Sequence, residues 1–421
     1  MRLSVALYEA MAIAEFREAS GRKASVRPEL HERAQSYAAA LVLTLLFMGA
    51  TLPSPLYVIY RDELHFSQVT LTLVYAVYFA GAMATAFFLG RISDEIGRRV
   101  AIFAAVAISI GASLVFILAD SLEMLFVGRL LSGLALPLAS GAGTAWIVEL
   151  CEDRCTAASL SAGAILAGLG LGALISGLLA EYSNEPLVFP FVALVSFALA
   201  AAVIVWLLPE TVEVRRWSEI ALRPRIGVPR GIIGGFIAPA VTVFASFALL
   251  GFYSALAPSL LQRALGVKSH AVGGAVIFEL YAAAVLVLAL THWLGARFAM
   301  LWGLSLLIPS LVLLVVGFQL HSLPLLLIGA AVGGGAAALG YRGSLQVVNQ
   351  IAPDSRRAEV VSSYLMFCYA GVSLPVIGIG VVSAIETAGL AEGIFAAVIA
   401  AIALLAIIVD IRRAQVSHKK L

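Results

Sequence analysis

Gly90-Arg91-Ile92-Ser93-Asp94-Glu95-Ile96-Gly97-Arg98-Arg99 is a short polar stretch between two long apolar runs, residues 68–89 and 100–119. Each run is near the ~20 residues that cross a ~30 Å hydrocarbon core. Two glycines permit a tight turn and close helix approach. Asp94 offers an acceptor near a helix start, and the arginines suit an anionic membrane surface. The stretch therefore reads as a loop joining two membrane-spanning helices.

Working outward, similar apolar runs recur along the whole chain: 37–59, 68–89, 100–119, 124–148, 158–180, 187–208, 231–257, 272–292, 298–318, 324–346, 359–383 and 392–410. They predict an all-α membrane protein of twelve transmembrane helices, because in lipid every backbone polar group must be paired within its segment or in a closed barrel. These runs are too long and too evenly apolar for barrel strands. The composition agrees. Of 421 residues, 62% are hydrophobic and 12% charged, against about 25% charged in soluble domains, which excludes a large soluble catalytic domain. A net charge of +2 gives no reason to expect nucleic acid. Residues 1–36 lack the long apolar region of a cleaved signal peptide and read as an amphipathic cytoplasmic tail. With that start, inside segments hold 22 of the 27 Lys and Arg residues and outside segments hold only Arg61, Arg263 and Lys268. This asymmetry places both termini in the cytoplasm.

The twelve spans divide into two halves, 37–208 and 231–410, joined by a polar loop, 209–230, with a short tail at 411–421. Sliding one half over the other by 205 residues aligns Pro53-Ser54 with Pro258-Ser259, Leu56 with Leu261, His65 with His270, Gly90 with Gly295, Gly128 with Gly333 and Glu149 with Asp354. The expectation is two pseudo-symmetric six-helix bundles, an architecture that suits a carrier rocking about a midplane site.

The opening stretch resembles the signature loop of the major facilitator superfamily, G-x-x-x-D-x-x-G-R-[KR], at every defining position and between the expected spans. The family resemblance implies that Gly90, Asp94, Gly97, Arg98 and Arg99 form a conformational latch, with Asp94 and Arg98 helping to hold the halves in the outward-facing state. The copy around Gly295 and Arg297 lacks the acid, which leaves a single-sided latch. Gly128-Arg129-Leu130-Leu131-Ser132-Gly133 is similar to the family's R-x-x-[QS]-G element, which implies a role for Arg129 in proton coupling or substrate orientation. Independently, an arginine inside a span costs at least ~2.5–3.5 kcal/mol and is a functional-site hypothesis by default. The rival reading is an Arg129 that snorkels to the interface. Glu279 reads as the only acid well inside a span, a candidate proton carrier or else the structural partner of a neighbouring hydroxyl. Glu149 and Arg154, with Asp354, Arg356 and Arg357, resemble the family's cytoplasmic charge network; a solvated loop is the alternative. By the same resemblance, helices one, four, seven and ten line a cavity, with Tyr57, Trp146, Tyr253 and Tyr341 as lining candidates. The fifth span carries Leu169 where family antiporters have a proline, which weakens a drug-efflux reading and leaves a small-residue packing face. Cys151 and Cys155 read as ordinary thiols, so no metal or cofactor is expected.

Together these features imply a non-enzymatic, monomeric secondary transporter of a small organic solute in the inner membrane, most simply an exporter coupled to protons. Uptake by symport is the second expectation, and a non-transporting receptor or scaffold is the third.

Overall fold

A computed structural model describes residues 32–89, 92–212, 227–385 and 388–418. Among these residues there is no strand, and twelve helices are long and apolar enough to cross a membrane. They are α1 (Ala34–Leu64), α2 (Gln68–Leu89), α3 (Arg98–Ile117), α4 (Leu122–Leu150), α5 (Thr156–Tyr182) and α6 (Phe189–Leu207). The second set comprises α7 (Arg230–Leu265), α8 (His270–Leu290), α9 (Ala296–Gln319), α10 (Leu323–Ile351), α11 (Glu359–Ile385) and α12 (Gly389–Arg412). The chain is thus an all-α membrane protein of two six-helix bundles. Residues 1–31 of the expected tail, Gly90 and Arg91, and 213–226 of the central loop lie outside the described residues, as does the side chain of Arg154.

Because the helices alternate in direction, one end of the bundle gathers the start of α1 and the end of α12. Here it is termed the terminal end, and the other the far end. Exposed Tyr37, Trp206, Trp293 and Trp302 all sit towards the terminal end, where amphipathic rings mark a membrane–water interface. Between the ends, Leu199, Val203, Leu286, Val312 and Leu374 stay exposed. Such an apolar outer surface needs lipid to cover it.

The two halves are built alike. Ser54 and Ser259 are both buried, as are Leu56 and Leu261. A Cβ added at Gly128 of α4 would meet Phe116 of α3, and one at Gly333 of α10 would meet Ser310 of α9, so paired glycines face equivalent neighbours. The internal alignment shifts in the loops. Gly97 caps α3 as Gly295 caps α9, so the structural counterpart of Gly295 is Gly97, not Gly90.

Close approach is set by glycine in both halves, and a Cβ at Gly334 of α10 would collide with the Leu280 carbonyl of α8. A Cβ at Gly133 of α4 would stand 2.0 Å from the Tyr78 carbonyl oxygen of α2. No other residue lets these helices meet so closely. Across the seam between halves, α5 packs on α8 and α2 on α11.

The last span begins earlier than its hydropathy indicated. The helix runs Ala388–His418, so Glu392 lies inside it and is buried. The expectation of Glu279 as the only acid well inside a span is therefore corrected. The apolar run starts at the acid itself, and only helix continuity shows the preceding turn. Residues 411–418 of the expected tail continue the same helix.

Candidate functional site

At the terminal end, the described part of the signature loop forms a charge cluster. The short helix Ile92–Ile96 places Asp94 one turn from Arg98. The Arg98 guanidinium donates to Asp94 Oδ1 at 2.5 Å, Ser93 Oγ at 2.8 Å and Glu149 Oε1 at 2.7 Å. Gly97 adopts φ 95° and ψ 153°, which turns the chain into α3. Glu210, from the central loop, then accepts from the amides of Arg98 at 2.9 Å and Arg99 at 3.0 Å. A carboxylate on unpaired N–H groups at a helix start is favoured by the helix dipole. Arg99 performs the converse at the end of α6, donating to the carbonyls of Val205, Trp206 and Leu208 at 3.3, 2.7 and 2.5 Å. Sequence reading missed Glu210, although its Pro-Glu-Thr context directly after a span was visible.

The other half uses different atoms for the same joint. Arg297 at the start of α9 pairs with Asp410 of α12 at 2.7 Å. Asp354 pairs with Arg357 at 2.7 Å inside its own turn, and Arg356 approaches Glu359 at 4.0 Å. The structure thus joins Glu149 to the signature loop but keeps Asp354, Arg356 and Arg357 in a separate group. Arg342 of α10 donates to the carbonyls of Thr291 and Leu294 after α8, at 2.7 and 3.1 Å.

Arg129 is fully buried, at 0% exposure. Its guanidinium lies 5.6, 5.5 and 4.6 Å from the ring centres of Tyr57, Tyr75 and Tyr78. Nη1 donates to the Ala50 carbonyl at 3.2 Å, while Nε and Nη2 have no hydrogen-bond partner. Among the described residues no acid pairs with it. Each ring face contributes about 0.5–2 kcal/mol of cation–π attraction in a dry site, but none satisfies an N–H. The snorkelling alternative does not describe this side chain, which turns inward. The cage rests on Gly133, one turn along α4, which brings Tyr75 and Tyr78 of α2 within reach.

The second half brings further tyrosines towards this cage. Tyr281 of α8 lies within electrostatic reach of Tyr75 and Tyr78, and Tyr369 of α11 within reach of Tyr78. Tyr281 Oη is 3.1 Å from Ser254 Oγ of α7. Tyr253 is buried within electrostatic reach of Glu279, and neither the Tyr253 hydroxyl nor Glu279 Oε2 has a hydrogen-bond partner. Tyr341 packs on Phe247 and Tyr364, with ring centres 5.4 and 6.4 Å away. Trp146 belongs to the core of the first half, its indole N–H donating to the Pro209 carbonyl at 3.0 Å. Thr51 Oγ1 donates to the Leu169 carbonyl at 2.5 Å, so the residue at the position of the family antiporters' proline joins α5 to α1.

The halves also touch directly at the far end. Arg61 of α1 donates to Gln262 of α7 at 3.4 Å, and the His270 amide of α8 donates to Glu181 of α5 at 2.7 Å. A Cβ at Gly177 would meet the His270 carbonyl, and one at Gly380 would meet Thr72. The terminal-end ion pairs named above stay within one half each.

Comparison with known proteins agrees with this architecture. The family model described as Major Facilitator Superfamily matches residues 39–254, just over half of the chain. The chain belongs to the major facilitator superfamily. It is 27% identical over 224 residues to "Multidrug resistance protein 1" of Bacillus subtilis (strain 168), covering 51% of this chain and 55% of that protein. It is 30% identical over 101 residues to a "Uridine/deoxyuridine transporter" of Lactococcus lactis subsp. cremoris (strain MG1363), covering 24% of this chain and 21% of that one. The matches thus span about half and about a fifth of those two relatives' own lengths. Among solved structures, a mutant of the nucleoside transporter NupG superposes with a TM-score of 0.71 at 14% identity, covering 89% of this chain and 99% of that one. The human organic anion transporter MFSD10 (TETRAN) gives 0.66 at 17% identity, covering 90% and 100%. These two likenesses concern the fold alone.

Proposed function

We propose that this protein is a secondary transporter that moves a small organic solute by alternating access, with protons as the coupling ion. The observation that carries the reading is the placing of cross-half contacts at the far end around a buried, uncompensated Arg129. Such a closure is one of the two states that alternating access requires. The excess of basic residues in terminal-end segments supports both termini in the cytoplasm of an inner membrane, and the arrangement then faces inward. Asp94, Arg98, Glu149 and Glu210 would act as the terminal-end latch, with Gly90 and Arg154 as further members by family resemblance.

Glu279 is the proposed proton carrier. A carboxyl group within a span, in electrostatic reach of Tyr253 and with no cation partner among the described residues, can be neutralised by a proton and so link ion to solute movement. Export is the favoured direction, supported by the name of the Bacillus relative. Uptake is the second reading, and one separate observation supports it: Arg129 and its cage lie towards the far end, so parting of the far-end contacts would open them to that side. Flux in proteoliposomes under pH gradients of both signs tests coupling and direction together. The Glu279→Gln variant is expected to fold and insert normally but to lose pH-driven flux. An unchanged pH dependence would remove the carrier role, and no solute movement under any gradient would favour a receptor or scaffold.

A further inference from the structure

We propose that the Arg129 cage is the binding site for an aromatic anion, a ring carrying one carboxylate or sulfonate. The inference rests on the transport reading above and narrows it to a substrate class. Arg129 Nε and Nη2 are buried and unpartnered in the closed arrangement. Leaving N–H groups of a charged guanidinium unmade in a dry site is costly, so another state of the cycle must satisfy them. No side-chain acid pairs with Arg129 among the described residues, which leaves the site with one uncompensated positive charge. A two-oxygen anion matches the guanidinium fork, accepting from Nε and Nη2 together.

The rest of the ligand follows from the walls. Tyr57, Tyr75 and Tyr78 present rings from the first half, and Tyr281 and Tyr369 of the second lie within electrostatic reach of Tyr78. Rings on both sides of the seam suit a planar aromatic body by stacking or edge contacts. A single arginine is too little for a phosphorylated sugar, which needs several basic groups. A cation would meet like charge in a low dielectric, where repulsion is strong. The site is shut in this arrangement, and parting of the far-end contacts Arg61–Gln262 and Glu181–His270 would open it to the far side.

The test uses three probes of one shape and different charge: benzenesulfonate, benzenesulfonamide and phenyltrimethylammonium. Thermal stabilisation of the detergent-purified full chain reads binding, and proteoliposome flux reads transport. Benzenesulfonate alone is expected to stabilise the wild-type protein saturably. The Arg129→Lys variant should weaken its half-saturating concentration at least about tenfold, because an ammonium lacks the fork. Tyr78→Leu should weaken it several-fold, and size-exclusion chromatography checks that both variants remain folded. Should the arginine variant not fold, the wild-type charge preference and Tyr78→Leu decide alone. Binding of benzenesulfonate without movement of any probe upholds the site and counts against transport. Movement of phenyltrimethylammonium without benzenesulfonate binding overturns the anion assignment and leaves transport standing. Absence of benzenesulfonate binding overturns the proposal whatever else moves.

Discussion

Gly97 and Glu210 show how much one residue decides at the terminal end. The conformation of Gly97, φ 95° and ψ 153°, belongs to a region that residues with a Cβ essentially avoid. Gly97→Ala is expected to lower stability by about 1–3 kcal/mol on that ground, seen as a lower melting temperature in detergent. Glu210→Gln keeps the shape but removes the charge facing the Arg98 and Arg99 amides. Its expected cost is about 0.5–2 kcal/mol, the usual scale for charge at a helix start. The same thermal melt measures it; no loss would mean that water replaces the carboxylate. The Gly97 and Arg98 motif was readable from spacing. Glu210 was not, because its partners lie more than a hundred residues away.

Single helices acquire their roles from what they cross. α5 touches α1 through Gly168 and Gly172 and reaches α8 through Gly177, and its last turn carries Glu181 to the start of α8. That carboxylate caps a helix belonging to the other half, so it stabilises only the far-end-closed state. Glu181→Ala is expected to shift the population towards the far-end-open state. Spin labels at Glu63 and Lys268, on the two halves at that end, should report a longer mean distance than in the unsubstituted protein; an unaltered distribution would show that the cap does not gate. The small-residue face of α5 was visible in the sequence. Its division between a partner in its own half and one across the seam was not, since glycine spacing does not say which neighbour fills which notch.

The whole molecule works only if its halves separate. An added Cβ at Gly380 of α11 would stand 3.0 Å from the Thr72 Cβ of α2, slightly inside the ~3.5–4.5 Å of a disulfide. In a background without the native cysteines, Thr72→Cys with Gly380→Cys is expected to cross-link under oxidation and reduce flux at least about tenfold. Reductant should restore it. Full flux in the cross-linked protein would show that the halves do not part at this place.

The sequence by itself determined the solvent, the number of spans, the twofold repeat and the superfamily, because apolar length, charge asymmetry and a short local motif are properties of contiguous residues. Only the tertiary structure decided that Arg129 turns inward, that three tyrosines of α1 and α2 surround it with no acid among the described residues, and that Glu392 is buried. It also decided that the terminal-end ion pairs seen among the described residues form within one half each, while Arg61 and Glu181 cross between halves. The reason is physical. A charge in lipid must find its partners among helices brought close by packing, and helix packing depends on which small residue faces which backbone, a relation that no linear spacing specifies.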